Sequence, residues 1–196
     1  SLVSVDVSLL EKNDELASNV KASSVTPNKI VKSIPKTNGS TSTALPSTPS
    51  HLGINADEKT LAVVLTLPST GKPHIYLYDT RSFSYESSSN KPFMEIPPAS
   101  PPGVSIVELA WNPVLSSMLA VVFSDGSLAL HMINDKGFDS ATLPPAEKIC
   151  CVSWSPKGKQ LVAGKSDGSL TQYKPDLKEA KTIPKPMDPS NPGQPL

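Results

Sequence analysis

Three histidines, His51, His74 and His131, and two adjacent cysteines, Cys150 and Cys151, are the side chains here best suited to metal binding or nucleophilic chemistry. Their spacing argues against both. Zinc ligands recur at short fixed intervals, and no histidine has a partner at i+2 or i+4 or a cysteine nearby to complete a set. All three read as ordinary histidines near strand starts or ends. Adjacent cysteines make neither a CxxC motif nor a loop-closing disulfide, so they read as small strand residues on opposite faces, suited to a reducing compartment. The numerous serines could be combined into a Ser-His-Asp triad, but no G-x-S-x-G elbow is expected among them, and without one their spacing selects none.

Asp125 and Asp167 recur in register, which invites a catalytic pair of carboxylates. Each precedes a glycine between two apolar runs, and that is where aspartate serves local turn hydrogen bonds. Trp111 and Trp154 could form ligand platforms, yet each ends an alternating run and is expected to wedge against a neighbouring element. From Lys157 to Lys185 there are seven lysines, Lys157, Lys159, Lys165, Lys174, Lys178, Lys181 and Lys185, against Asp167, Asp176 and Glu179. Such a basic rim could meet RNA or an acidic protein surface. It also fits a set of solvated edge lysines that discourage edge pairing. With no arginine and only Tyr173 as an aromatic, a base-stacking platform is disfavoured.

The elements that position these residues come from a repeat. Ile106 to Met132 reads IVELAWNPVLSSMLAVVFSDGSLALHM and Ile149 to Tyr173 reads ICCVSWSPKGKQLVAGKSDGSLTQY. Both contain Trp-x-Pro, restart an apolar run seven residues after the tryptophan, at Met118 and Leu161, and reach the same SDGS. Asp-Gly between alternating apolar runs signals a tight hairpin, because glycine adopts positive φ without a Cβ clash. Each copy is therefore strand, turn, strand, hairpin, strand, with a fourth short strand at Phe138 to Leu143 and at Glu179 to Ile183. The tryptophans lie 43 residues apart, the spacing of a WD-type propeller blade. Leu52 to Thr80 is an earlier, degenerate copy with Ile54 in the tryptophan slot, the loop Pro68 to Pro73 instead of Asp-Gly, and Tyr78-Asp79 where a WD pair would stand.

The expected class is all-β: a partial WD40-like β-propeller of about three antiparallel blades, at 51–98, 104–143 and 147–184. Residues 1–12 read as the remnant strand of a preceding blade. Residues 13–50, rich in Ser, Thr, Asn, Lys and Pro, read as a disordered linker or insertion, since they have little to bury against their conformational entropy. Residues 185–196 read as a disordered tail. The 21 prolines and 5% aromatic content of the 196 residues agree with that division. Lysine plus arginine equals aspartate plus glutamate at 18 each, so no global field draws the chain to nucleic acid or lipid. Leu61 to Leu67 is the longest strongly apolar run, too short to span a bilayer, and no leader opens the chain. The chain is expected to be a non-membrane, non-secreted piece of a larger polypeptide.

ELAWNP with SMLAVVFSDGSLAL, and above all CVSWSPKGKQLVAGKSDGSLTQYKPDLKEAKTIPKP, resemble consecutive blades of the N-terminal propeller of the CAN family of FG nucleoporins of the cytoplasmic face. DTRSF at Asp79 to Phe83 and KPF at Lys91 to Phe93 extend the similarity, so that it covers residues 51 to 186. The resemblance implies a seven-bladed, non-catalytic propeller at the cytoplasmic face of the nuclear pore complex. Its implied partners are a DEAD-box RNA helicase in mRNA export and other nucleoporins. It implies no cofactor, no metal and no catalytic residue. About three blades are present, so this chain alone cannot close the ring, and open blade edges invite self-association. There is no Phe-Gly repeat. The helicase contact of the family lies on later blades, so no partner-binding residue is carried over. The alternatives are direct RNA binding through the lysine-rich last blade, or a generic WD-repeat adaptor.

Overall fold

The structure is a computed structural model and describes residues 2–4, 29–31, 48–82, 91–98, 100–185 and 190. Most of the expected linker and tail lies outside them. The chain divides into two compact units, Ser1–Ser42 with Ser82–Lys91, and Thr43–Arg81 with Pro92–Leu196. In the first, the described backbone is an antiparallel pair of β1 (Leu2–Ser4) and β2 (Lys29–Val31), with Val3 opposite Ile30.

The second unit contains three four-stranded antiparallel sheets, each running in strand order from inner to outer edge. The first holds β3 (Pro49–Ile54), β4 (Thr60–Leu67), β5 (Lys72–Asp79) and β6 (Met94–Ile96). The second holds β7 (Ile106–Trp111), β8 (Met118–Phe123), β9 (Leu128–Asn134) and β10 (Gly137–Leu143). In the third are β11 (Ile149–Trp154), β12 (Leu161–Lys165), β13 (Leu170–Tyr173) and β14 (Glu179–Ile183). This is the expected all-β, bladed architecture. Among the described residues no α-helix occurs, only single 3₁₀ turns at Thr80–Ser82 and Pro145–Glu147.

The middle blade shows why the strands are apolar throughout. Every residue of β8 is buried, because a strand packed on both faces needs apolar side chains at odd and even positions alike. Leu119, Val121 and Phe123 join Ala62, Val64, Ile75, Leu77 and Ile96 in the core between blades one and two. Ala120 and Val122 join Ile149, Leu161, Ala163, Tyr173 and Leu177 in the core between blades two and three. A fully buried Leu119 or Leu161 contributes about 2 kcal/mol by removal from water.

The hairpins are built as their sequence requires. The Asp125 Oδ1 accepts from the Ser127 amide at 2.9 Å and its hydroxyl at 2.6 Å, and Asp167 repeats this toward Ser169 at the same distances. Gly126 has φ +86°, and a Cβ there would stand 2.9 Å from the Lys148 Cα, so the residue answers both a backbone and a packing constraint. Each inner strand is also interrupted at one repeat-equivalent place, between Pro49 and His51, Ile106 and Glu108, and Ile149 and Cys151. The extra residues are Ser50, Val107 and Cys150. Cys150 is thus the bulged residue of its strand, and both cysteines are free and exposed.

Candidate protein-interaction surface

Two side-chain slots join the blades. Trp111 Nε1 donates to the Gly53 carbonyl at 3.0 Å, and Trp154 Nε1 donates to the Ala110 carbonyl at 3.1 Å. Gly53 and Ala110 each precede the tryptophan-slot residue of the blade before, so the same bond recurs at both seams. The rings pack against the two cores. Their N–H groups and much of their apolar surface are committed to packing, which removes both as stacking platforms. Ile54 fills the slot in blade one, has no donor and is 57% exposed.

The next residue works in the other direction. Asn55 Nδ2 donates to the Ser116 carbonyl at 2.9 Å, and Asn112 Nδ2 donates to the Gly158 carbonyl at 2.8 Å. The Asn112 Oδ1 meanwhile accepts the Val114 and Leu115 amides, each at 2.9 Å. Blade three carries Ser155 in this slot, whose Oγ accepts from the Gln160 amide of its own turn at 3.1 Å. Gly158 has φ +66°, and a Cβ there would lie 2.3 Å from the Asn112 Oδ1. Only glycine fits both the conformation and the approach.

These latches align the turns Asn55–Lys59, Asn112–Ser117 and Ser155–Gln160 on one end of the blades. Asp57, Glu58 and Lys59 are exposed in the first turn and Val114 and Leu115 in the second, at 57% and 45%. Lys157 and Lys159 are exposed in the third, and Lys174 and Lys178 in the adjoining β13–β14 turn at the same sheet end. Lys178 is paired with Asp176 at 3.4 Å.

The remaining polar groups serve the seams. Lys165 Nζ donates to Glu147 Oε2 at 2.7 Å, and the Tyr173 hydroxyl donates to the same oxygen at 3.3 Å. The Lys165 hydrogen bond holds the Glu147 carboxyl below the usual carboxylate range, and the Glu147 carboxylate raises the Lys165 ammonium in return. The Glu108 carboxylate accepts the Val152 amide at 2.9 Å across the same seam.

The histidines stand apart. His51 Nε2 donates to the Val107 carbonyl at 3.0 Å, bridging the inner strands of blades one and two, and His74 pairs with Glu95 at 2.6 Å. His131 is not at a strand end: it lies mid-strand in β9, buried, 2.7 Å from the Ser140 hydroxyl and edge-on to Phe138. Burial holds its imidazole down at about 4. Among the described residues no cluster of three His, Cys, Asp or Glu is placed to hold a metal.

The expected absence of a G-x-S-x-G pattern needs correcting. Gly164 to Gly168 spells G-x-S-x-G, the pattern of a nucleophile elbow, around Ser166. The elbow requires a strand-to-helix turn, whereas here the segment closes the β12–β13 hairpin, and the Ser166 amide donates to the Lys148 carbonyl at 2.9 Å. A crevice lined by Pro73, Ile75, Ile96, Ile106, Phe123 and His131 measures about 10 Å³, against the roughly 300 Å³ of small ligand pockets. Among the described residues this crevice is too small to hold a ligand of that size. No helix of the described residues is long and apolar enough to cross a membrane.

Solved structures share the fold. A β-propeller domain of Cps50 (Swd1) from Myceliophteria thermophila superimposes with a TM-score of 0.53 at 12% identity, over 70% of this chain and 43% of that one. A chain of the mitotic checkpoint complex gives 0.52 at 17% identity, over 70% and 37%. Sequence relatives are closer in kind. The human nuclear pore complex protein Nup214 is 38% identical over 137 residues, and its Drosophila melanogaster counterpart 39% over 140. Nucleoporin NUP159 of Chaetomium thermophilum is 34% identical over 146 residues. The matches cover 69%, 71% and 72% of this chain but only 6%, 8% and 9% of those proteins, so the chain corresponds to a small part of each. The family model of the NUP159/214 beta propeller matches residues 4–195, and the chain belongs to that family.

Proposed function

We propose that this chain is part of a non-catalytic propeller scaffold at the cytoplasmic face of the nuclear pore, where the complete propeller docks a DEAD-box RNA helicase for mRNA export. The carrying observation is the pair of repeated tryptophan-to-carbonyl seams in a chain of the NUP159/214 family. A protein whose distinctive side chains are committed to stacking blades presents turns and edges, which suits docking better than turnover. The helicase and the cytoplasmic face follow from the resemblance to CAN.

Two measurements test this reading. Immunogold labelling of the parent protein should mark the cytoplasmic side of the pore, and label confined to the nuclear side would contradict it. Calorimetric titration with the helicase should show weak or no binding by this chain and firm binding by a chain carrying the whole propeller. Equal affinity for both would place the docking surface within these three blades instead. Direct RNA binding is the competing reading. Filter retention of RNA should be low at every salt concentration, and strong retention that falls steeply with salt would favour RNA.

A further inference from the structure

We infer that the turn end of blades two and three is a binding surface for an acidic peptide segment bearing apolar side chains, contributed by a partner protein. This goes beyond the helicase-docking proposal and does not depend on it. Val114 and Leu115 project from the blade-two turn at 57% and 45% exposure, two adjacent aliphatic side chains where turns normally carry polar ones. Lys157 and Lys159 flank Gly158 in the blade-three turn, both exposed. Asn112, fully buried, holds the two groups together: its Oδ1 takes the Val114 and Leu115 amides and its Nδ2 reaches the Gly158 carbonyl. An apolar pair and a lysine pair thus sit one side chain apart on rigid turns, so little ordering is needed on binding.

Charge decides the occupant. The turns of blade three bring Lys157, Lys159 and Lys174 to this end, with Lys178 already paired to Asp176. The blade-one turn carries Asp57 and Glu58 against Lys59. The sign therefore changes across the apolar pair, which favours a segment whose acidic flank lies over blade three and whose apolar residues cover Val114 and Leu115. RNA fits this end less well. Nucleobases need exposed aromatic faces or guanidinium groups, whereas the indole N–H groups of Trp111 and Trp154 are held in the seams, Tyr173 is buried, and no arginine stands in these turns.

The test uses the full chain and a fluorescein-labelled synthetic peptide in which a leucine–phenylalanine pair is followed by a run of glutamates. Anisotropy should show saturable binding that weakens as salt rises. The double variant K157E/K159E should lose about tenfold or more in affinity. L115S should weaken binding without changing its salt dependence, and K72E, at the opposite sheet end, should leave it unchanged. Melting curves of each variant, expected to match the wild type, check that the fold is retained. Replacing the peptide's glutamates by glutamine should abolish binding. No binding by the wild-type chain, unchanged binding by K157E/K159E, or a poly-uridine RNA bound as tightly as the peptide would each overturn the proposal.

Discussion

Alternate residues of the same strands form the two faces of blade three, and their fates differ. Toward blade two, Leu161, Ala163 and Thr171 are fully buried and Tyr173 nearly so. On the other face, Leu170 and Ile183 stay exposed at 39% and 36%, beside an exposed Cys151 and a half-buried Val162. Apart from Tyr173 both faces carry small or aliphatic residues, so hydrophobicity does not distinguish them. What distinguishes them is the neighbour: burial in a stacked repeat is made at the seam and not within the blade. The latches follow the same rule. Trp154 reaches back across a formed seam, whereas Ser155, in the slot where blades one and two carry asparagine, bonds within its own turn.

The contrast can be broken most directly by trimming each face. Leu161→Ala should cost about 3 kcal/mol, as expected for a fully buried leucine, while Leu170→Ala should cost less than about 0.5 kcal/mol. Urea midpoints compare the two, and equal losses would erase the distinction between the faces. Acid offers a second route through the seam of blades one and two. The His131 imidazole is held at about 4 when folded, below its ordinary 6.5. The unfolded chain therefore binds the extra proton first, so stability is intact above the unfolded value and falls as pH drops toward 4. The loss should reach about 2.5 kcal/mol near pH ~4.5. His131→Leu should flatten that part of the profile, and an unaltered profile would show that the imidazole is not buried.

Smaller effects sharpen the role of the latches. Gly158→Ala should cost about 2 kcal/mol, combining positive φ with the approach of Asn112, and a neutral result in thermal melts would mean that the turns are not latched. Trp154→Phe keeps an aromatic ring in the seam but removes the bond to the Ala110 carbonyl together with part of the packed area of the indole. It should cost about 1.5 kcal/mol, less than any other seam substitution named here, and a loss several times larger would mean that the seam depends on the shape of the whole indole more than on the bond.

Much of this architecture is legible in the chain because its signals are local. Period-2 alternation, the restart seven residues after each tryptophan and the SDGS hairpins place β7 to β14 closely, as the expected Phe138 to Leu143 and observed Gly137–Leu143 illustrate. What escaped needs a partner strand or blade to define it. The bulges at Ser50, Val107 and Cys150 have no residue signature, since an extra residue is extra only against the opposite strand. Asn112 looks like a turn residue until Gly158, 46 positions on, is seen to accept its amide. His131 reads as polar from sequence, and only packing of Phe138 and Ser140 around it makes it a core side chain. The candidate surface was legible as lysines alone; its apolar half, Val114 and Leu115, emerges when the turns are aligned.

The central claim is that both tryptophans join blades and are not displayed for recognition. Hydrogen exchange of the two indole protons by NMR tests this most directly, because the chain contains only Trp111 and Trp154. The account predicts that both exchange far more slowly than a free indole, with protection lost together with the global fold. Exchange of either at the rate of an exposed indole in the folded chain would contradict it.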